Sequence, residues 1–345
     1  MKKAFNLLAV VLVSAFAFLI ILRPEISLKS ALSGVLLCGN VIIPSLFPFT
    51  FCVLFIKSSG LLRFLKFLNP VTQKVFNQNF YEFTLFLLSL IGGYPLGAKL
   101  LSQSGINAQK QKIMINYCIN AGPAFIVLAV GKGVFKSTAL GWMLFFSHIF
   151  SSLLIALILG RFIKNDNIIP AIKPLNAVNN FVISAADAAE TVIKICGLVI
   201  LFSCIGGYTE MLSLYIKPLK YLSLLLEVTN AVFKTENIIA VSFFLGFSGV
   251  SIWCQVFSLL KNIKINYLTF IAFRILHGGF SGGITLMLLK IFKISRNTLS
   301  NGVEFNFKAF INGPTVAFSL TIMGIVLIIS LYNKKYAGNL IEDIV

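Results

Sequence analysis

Acidic residues are scarce in this chain. Asp and Glu number 11 against 29 Lys and Arg, and charged residues make up only 12% of 345 positions. Histidine occurs twice, at His148 and His277. The six cysteines (Cys38, Cys52, Cys118, Cys196, Cys204, Cys254) are scattered through apolar runs with no CxxC. Thinly spread Cys and His exclude a disulfide framework and a recognisable metal site, and the cysteines read as small buried hydrophobes. There is no HExxH, no GxSxG, no P-loop and no pair of intramembrane aspartates. Zinc proteolysis, nucleophile-elbow hydrolysis and ATP-driven transport thereby lose their sequence support. No enzyme, cofactor or metal is expected, and any driving force must come from gradients or from the substrate itself.

What the chain has instead is apolar sequence. Hydrophobic residues are 58% of it and the mean hydropathy is +0.93. Several runs reach the roughly 20 residues that cross a bilayer. Long runs without alternation indicate helices rather than a barrel, since lipid leaves the backbone no other partner than itself. The fold class is therefore an all-α polytopic membrane protein. The net charge of +18 is read as lysines in short loops that orient helices; no basic segment with interleaved aromatics suggests nucleic acid, which is excluded as a partner. The start, MKKAFNLLAVVLVSAFAFLIILRPE, predicts an uncleaved transmembrane helix, because its apolar run is long and no small-residue cleavage site follows.

Transmembrane helices are predicted near 4–22, 30–56, 107–130, 138–160, 185–208, 264–290 and 310–332, the second kinked by Pro44 and Pro48. Stretches 61–76 and 211–226, with Leu and Phe between spaced cations, fit the interface. Segments 82–103 and 237–260 are apolar but interrupted. These elements suggest an N-terminal helix (1–29), a first repeat (30–160) with a re-entrant hairpin at 82–103 and a polar linker (161–184). A second repeat (185–333) with a hairpin at 237–260 and a short tail (334–345) follow. The halves match in order: NP, LIGGYPLGAKLLSQSGI and NYCINAGPAF in the first, then KP, FLGFSGVSIWCQVFSLL and AFRILHGGF in the second. In that register Gly92 meets Gly246 and Asn120 falls opposite Arg274. Three crossings plus a hairpin invert the second half, the plan of an inverted-repeat secondary transporter. With Lys2 and Lys3 inside, the inside loops collect more Lys and Arg than the outside ones.

Non-helical backbone at membrane depth is tolerated only beside protein or a water-filled cavity. Glycine lets the chain turn and lets a ligand come close, and a half-helix N-terminus attracts anions. Gly92, Gly93, Tyr94, Gly97 and Lys99 at the first tip, and Gly246, Ser248 and Ser251 at the second, are therefore expected to bind substrate, with a new helix starting after Gly97 and Lys99 in its first turn. The competing explanation is close helix packing on small residues. Costly intramembrane polar groups add Asn116, Asn120, Glu227, Asn230, Arg274 and His277. Asp187 and Glu190 read as first-turn acidic residues, and Glu190 and Lys194 as an i, i+4 pair.

IGGYPLGAKL (91–100), NAGPAFIVLAVG (120–131), LEVTNAV (226–232) and GFSGVSIWCQVFSLL (246–260) resemble motifs of the YlbJ-type sporulation integral membrane proteins, which carry the nucleoside-recognition or gate domain. The resemblance covers about residues 30 to 290. It implies a fold like that of concentrative nucleoside transporters, a place in the cell membrane or the outer forespore membrane, and passage of dipicolinic acid into the forespore. A small aromatic dianion would suit two half-helix N-termini with Lys99 and Arg274, and Tyr94, Tyr117 or Trp253 to stack on its ring. The bulky Trp253 departs from the smaller or more polar residue expected there. The partners expected are this anionic small molecule and membrane lipid; a homo-oligomer is compatible with the reading. The alternatives are a nucleoside, another metabolite or an ion on the same architecture, or a non-transporting membrane scaffold of spore assembly.

Overall fold

Asparagine and serine decide where six of the helices begin, and glycine and proline mark where several break. The computed structural model describes residues 2–163, 176–260 and 263–292. The predicted helix 310–332, the tail 334–345 and half of the linker lie outside the described residues. Within the described residues the fold is all-helical.

Helix α1 (Lys2–Leu22) touches chiefly the helix that follows it and leaves Leu8, Val11 and Phe18 exposed. Helices α2 (Pro24–Leu37) and α3 (Ile43–Ser58) are joined by a π-helical turn, Cys38–Ile42, into one span of 35 residues. The π turn lies immediately before Pro44, where a missing backbone donor would interrupt the α-helical ladder. A 3₁₀ segment, Leu61–Leu68, and α4 (Asn69–Phe76) follow, with Phe64, Phe67 and Val71 exposed, as an interfacial stretch requires.

Helices α5 (Phe80–Gly92) and α6 (Tyr94–Ser102) form an antiparallel hairpin: the Tyr81 hydroxyl donates to the Ser104 carbonyl, 3.1 Å away, joining the start of one arm to the end of the other. The sequence predicts a continuous helix at 107–130; the structure corrects this. α7 (Ala108–Met114) stops early, residues up to Gly122 are non-helical, and a π-helix, Ala124–Val134, continues. Pro123 explains the break, since a proline disfavours helix at the residue before it and removes a donor. α8 (Thr138–Gly160) has the predicted bounds.

α9 (Ala177–Ser213) is longer than predicted. Its 37 residues span about 55 Å, well beyond a hydrocarbon core of ~30 Å. α10 (Leu219–Leu226) and α11 (Val228–Lys234) flank a break at Glu227; α12 (Ile238–Phe247) and α13 (Val250–Leu259) flank one at Ser248–Gly249; α14 (Tyr267–Ile291) closes the described chain. Among the described residues, five helical segments are long and apolar enough to cross a membrane. The protein is a multi-pass integral membrane protein. α2 and α3 pack along α9, α8 packs on α14 and the π-helix, and α12 lies against α14. α13 parts from α12 and packs on α6 and α9 instead. The two segments that begin at glycine thus meet in the middle of the bundle.

Candidate functional site

Six helices start from a side chain that accepts an amide of the first turn: Asn79, Asn107, Ser137, Asn176, Asn237 and Asn266. The half-helices α6 and α13 differ. They start from Gly93 and Gly249 with no side-chain cap, which in α6 leaves only the Tyr94 amide open, since Pro95 has none and Leu96 donates to the Gly93 carbonyl. Gly93 has φ 89° and ψ 171°, Gly249 φ 87° and ψ 158°. This is a region that only glycine enters at low cost. The two breaks share one backbone conformation although their sequences, GGYPLG and GFSGVS, share little.

Both half-helices contribute to one cavity of about 50 Å³. Gly93, Tyr94 and Pro95 line it from α6, Ile252 and Gln255 from α13. Glu227, Val228 and Thr229 enter from the break before α11; Gly122 and Phe125 come from the break before the π-helix. The remaining wall belongs to the span 42–46 and to α9. Three chain breaks therefore open onto one space. Glu227 is 2% exposed; its Oε1 accepts from the Thr229 hydroxyl at 3.3 Å, its Oε2 has no hydrogen-bond partner, and the Ser251 hydroxyl faces the carboxylate. Gln255 is buried and its Oε1 is also unpartnered. The break at Gly249 sits directly on the break at Glu227: a Cβ there would lie 3.1 Å from the Val228 nitrogen. Thr229 is shared with a second, wider cleft of about 480 Å³ between α2, α9 and α11, which holds Ser30, Ser33, Asn230 and the Glu210–Lys234 pair.

The sporulation integral membrane protein YlbJ of Bacillus subtilis (strain 168) is 24% identical over 333 residues, covering 80% of this chain and 82% of the relative. This chain is similar to that protein over most of its length. No family profile and no solved structure matches it. The similarity spans the three breaks that build the cavity.

Of the residues expected to bind substrate, Gly93, Tyr94 and Glu227 line the cavity, Ser251 adjoins Glu227, and Asn230 lines the cleft. The others do something else. α6 begins at Tyr94, because Gly93 rather than Gly97 takes the positive φ, and this corrects the position of Lys99: it falls in the last turn. Its ammonium donates to the Asp187 carbonyl (3.1 Å) and the Thr191 hydroxyl (2.8 Å) and lies 3.7 Å from the Asp187 carboxylate. Asp187 is no first-turn residue either, since α9 starts ten positions earlier. The Glu190–Lys194 pair forms, at 2.5 Å.

Arg274 is fully buried and is not among the residues that line the cavity. Its guanidinium donates to the Ile119 carbonyl at 2.6 Å and to the Asn116 carbonyl. These carbonyls belong to the non-helical stretch before Pro123, so Arg274 satisfies backbone that the break leaves open. His148 and His277 stack with ring centroids 4.4 Å apart, and His148 Nε2 accepts the Ala121 amide at 3.0 Å. Asn120 donates to Ser89 and to the Tyr117 carbonyl; Asn116 donates back to its own helix. Tyr117 is buried against Gln78. Trp253 donates to the Phe247 carbonyl and packs on Phe247.

Close packing explains three of the glycines. A Cβ on Gly97 would stand 1.7 Å from the Cys118 carbonyl oxygen, one on Gly246 2.6 Å from the Gly278 nitrogen, and one on Gly92 1.9 Å from a Leu96 methyl. The geometrically matched pair is thus Gly93 with Gly249, not Gly92 with Gly246. Ser248 is buried at φ 71°, its hydroxyl unpartnered. Gln255, Phe125 and Gly122 were not expected in the site. Only the Gly122–Pro123 dipeptide advertised itself.

Proposed function

We propose that this protein is a secondary transporter, built as an inverted repeat with two re-entrant half-helices, that carries a small organic anion. Dipicolinate into the forespore is the substrate that the YlbJ resemblance favours. The observation that carries the reading is the convergence of two half-helices that restart at positive-φ glycines without side-chain caps, α6 and α13, on one cavity. Aligned peptide dipoles make such ends attractive to carboxylates. The matched conformations of Gly93 and Gly249 support the repeat, and Thr229 links the cavity to a wider polar cleft. A pyridine ring with two carboxylates needs more room than about 50 Å³. Entry therefore requires the walls to part, as alternating access does.

A second reading has its own support. The cavity holds Glu227, Gln255 and Thr229 and no Lys or Arg, a lining that also suits a neutral, hydroxyl-rich solute such as a nucleoside. Proteoliposomes preloaded with terbium separate the two, since its luminescence rises when dipicolinate enters. Saturable entry that excess nucleoside leaves unchanged is the expected result. Nucleoside uptake without a terbium signal establishes the second reading. Neither flux, with protein monodisperse and correctly inserted, removes transport and favours a scaffold role in spore assembly.

A further inference from the structure

The inner cavity is small and has no Lys or Arg on its wall. Three cations of the bundle are already taken: Lys57 by Gln103, Lys99 by Asp187 and Thr191, and Arg274 by the carbonyls of residues 116 and 119. The wide cleft between α2, α9 and α11 has both room and cations. We propose that this cleft is a binding site for a small carboxylate solute, and the entrance through which that solute reaches the inner cavity.

Four polar side chains carry the argument. Lys29 and Ser30 of α2, Ser203 of α9 and Asn230 of α11 line the cleft, and among the described residues none of them has a side-chain hydrogen bond or an ion pair. Their neighbours behave differently: the Ser33 hydroxyl donates to the Lys29 carbonyl, and the Thr209 hydroxyl to carbonyls of its own helix. In a membrane bundle a polar group without a protein partner faces water or solute, because lipid offers it nothing. Glycine makes room for two of the four. A Cβ on Gly206 would stand 3.2 Å from the Asn230 amide nitrogen, and one on Gly207 2.0 Å from the Ser30 oxygen. Charge then selects the solute. Lys234 pairs with Glu210 at 2.7 Å, both side chains partly exposed, and Lys29 adds a second ammonium. Two ammoniums against one carboxylate leave the cleft cationic. An incoming carboxylate can meet Lys29 and compete with Glu210 for Lys234, while the hydroxyls and the Asn230 amide offer further donors. Apolar Ile26 and Leu37 on the same lining give a ring a surface to lie on. The volume of about 480 Å³ falls within the roughly 300–1,000 Å³ of small-molecule sites. The cleft also leads inward. The Tyr208 hydroxyl donates to the Arg23 carbonyl at 2.8 Å, so the end of α9 meets the start of α2. The Glu210–Lys234 pair lies near that end, and Ser203 lies about 10 Å further in along α9. Thr229, at the start of α11, belongs to both the cleft and the cavity. As an entrance the cleft rests on the transporter reading; as a carboxylate site it does not.

Purified full-length protein in detergent is titrated calorimetrically with dipicolinate and with its neutral diamide, in metal-free buffer. Dipicolinate is expected to bind and the diamide is not. Lys29→Gln and Lys234→Gln should each weaken binding roughly tenfold, the scale of one charge-assisted hydrogen bond. Glu210→Gln should tighten it about two- to fivefold, because it releases Lys234 from an exposed pair. That gain separates an anion site from general damage, since a misfolded variant loses affinity. No dipicolinate binding by folded wild type overturns the site. So does equal binding of the diamide, indifference to both lysine substitutions, or weaker binding in Glu210→Gln. An anionic lipid headgroup is the other source of such chemistry, and nanodiscs of phosphatidylcholine with and without phosphatidylglycerol distinguish it. Dipicolinate affinity that survives phosphatidylglycerol supports the solute; affinity abolished by it assigns the cleft to lipid and overturns the proposal. Dipicolinate flux is then compared in the same variants. A KM that follows the binding constants supports the entrance. A KM that ignores them removes the entrance and leaves the site. Binding without flux of any solute removes the transporter and leaves the site.

Discussion

The two glycine breaks have the same backbone angles and opposite supports. At Gly93 the flanking helices close into a hairpin. Tyr81 bonds Ser104 across its base, and beside it a buried ion pair joins Glu82 to Lys110 at 2.6 Å, within a capping box on Asn79. At Gly249 the flanking helices part: α12 stays on α14, while α13 crosses to α6 and α9. The first break is thus held by its own arms, and the second by neighbours from elsewhere in the chain. One Gly-only conformation therefore fixes where a helix restarts, and tertiary packing decides where it goes. If one wall yields to admit solute, the second break is the one whose arms touch chiefly at the tip, through Trp253 and Phe247.

The most damaging way to break this contrast is at the hairpin base. Lys110→Met removes the ammonium that lies 2.6 Å from Glu82, whose side chain is 1% exposed. Removing one partner of such a pair costs about 3–5 kcal/mol, reduced here to the extent that the Asn79 amide still donates to Glu82. The expected result is a large fall in the detergent melting temperature, with Glu82→Gln/Lys110→Met recovering much of it. Little loss in the single variant would mean that the base does not hold the first hairpin.

Next come the breaks themselves. Alanine at either glycine must adopt a φ near +88°, at about 1–3 kcal/mol. The surroundings then separate them. A Cβ at Gly93 meets only a Leu46 methyl, at 2.9 Å, which can swing away; a Cβ at Gly249 meets the backbone of Val228, Leu225 and Leu226 at 3.1–3.4 Å. Gly249→Ala should therefore be the less stable of the two, by thermal melting, and should also lose flux, because its tip sits on the Glu227 break. Equal losses at both would place the restraint in the backbone conformation alone.

Much of this was legible in the sequence, and the losses have particular causes. Hydropathy gave the membrane class and the bounds of α8. Glycine clusters located both half-helices. Which glycine turns the chain was not legible, because Gly92, Gly93 and Gly97 are equivalent in composition and differ only in what presses on them: a Leu96 side chain, a Leu46 methyl, and the Cys118 carbonyl. That one shift moved Lys99 from a tip to the end of its helix. Charge was misleading for the same reason. An intramembrane Arg274 looks like a substrate ligand until the break at 115–122 shows the carbonyls it serves. That break was itself hidden inside an apolar run long enough to be a helix. Glu227 was visible as a costly polar residue, and its Gln255 neighbour was not, since no local pattern brings α13 beside the α10–α11 junction.

The smallest predicted effect is the sharpest test of that reassignment. Lys99 is 7% exposed and Asp187 about a third exposed at its side chain, so solvent screens their attraction, and pairs of this kind contribute about 1 kcal/mol or less. Lys99→Met should lower the melting temperature slightly, Asp187→Asn should do the same, and the double variant should be no worse than either alone. The KM for an anionic solute should stay within about twofold of the wild type, because the ammonium faces α9 rather than the cavity. A tenfold rise in KM with stability intact would return Lys99 to the substrate and make the first break, not the second, the place where anion charge is met.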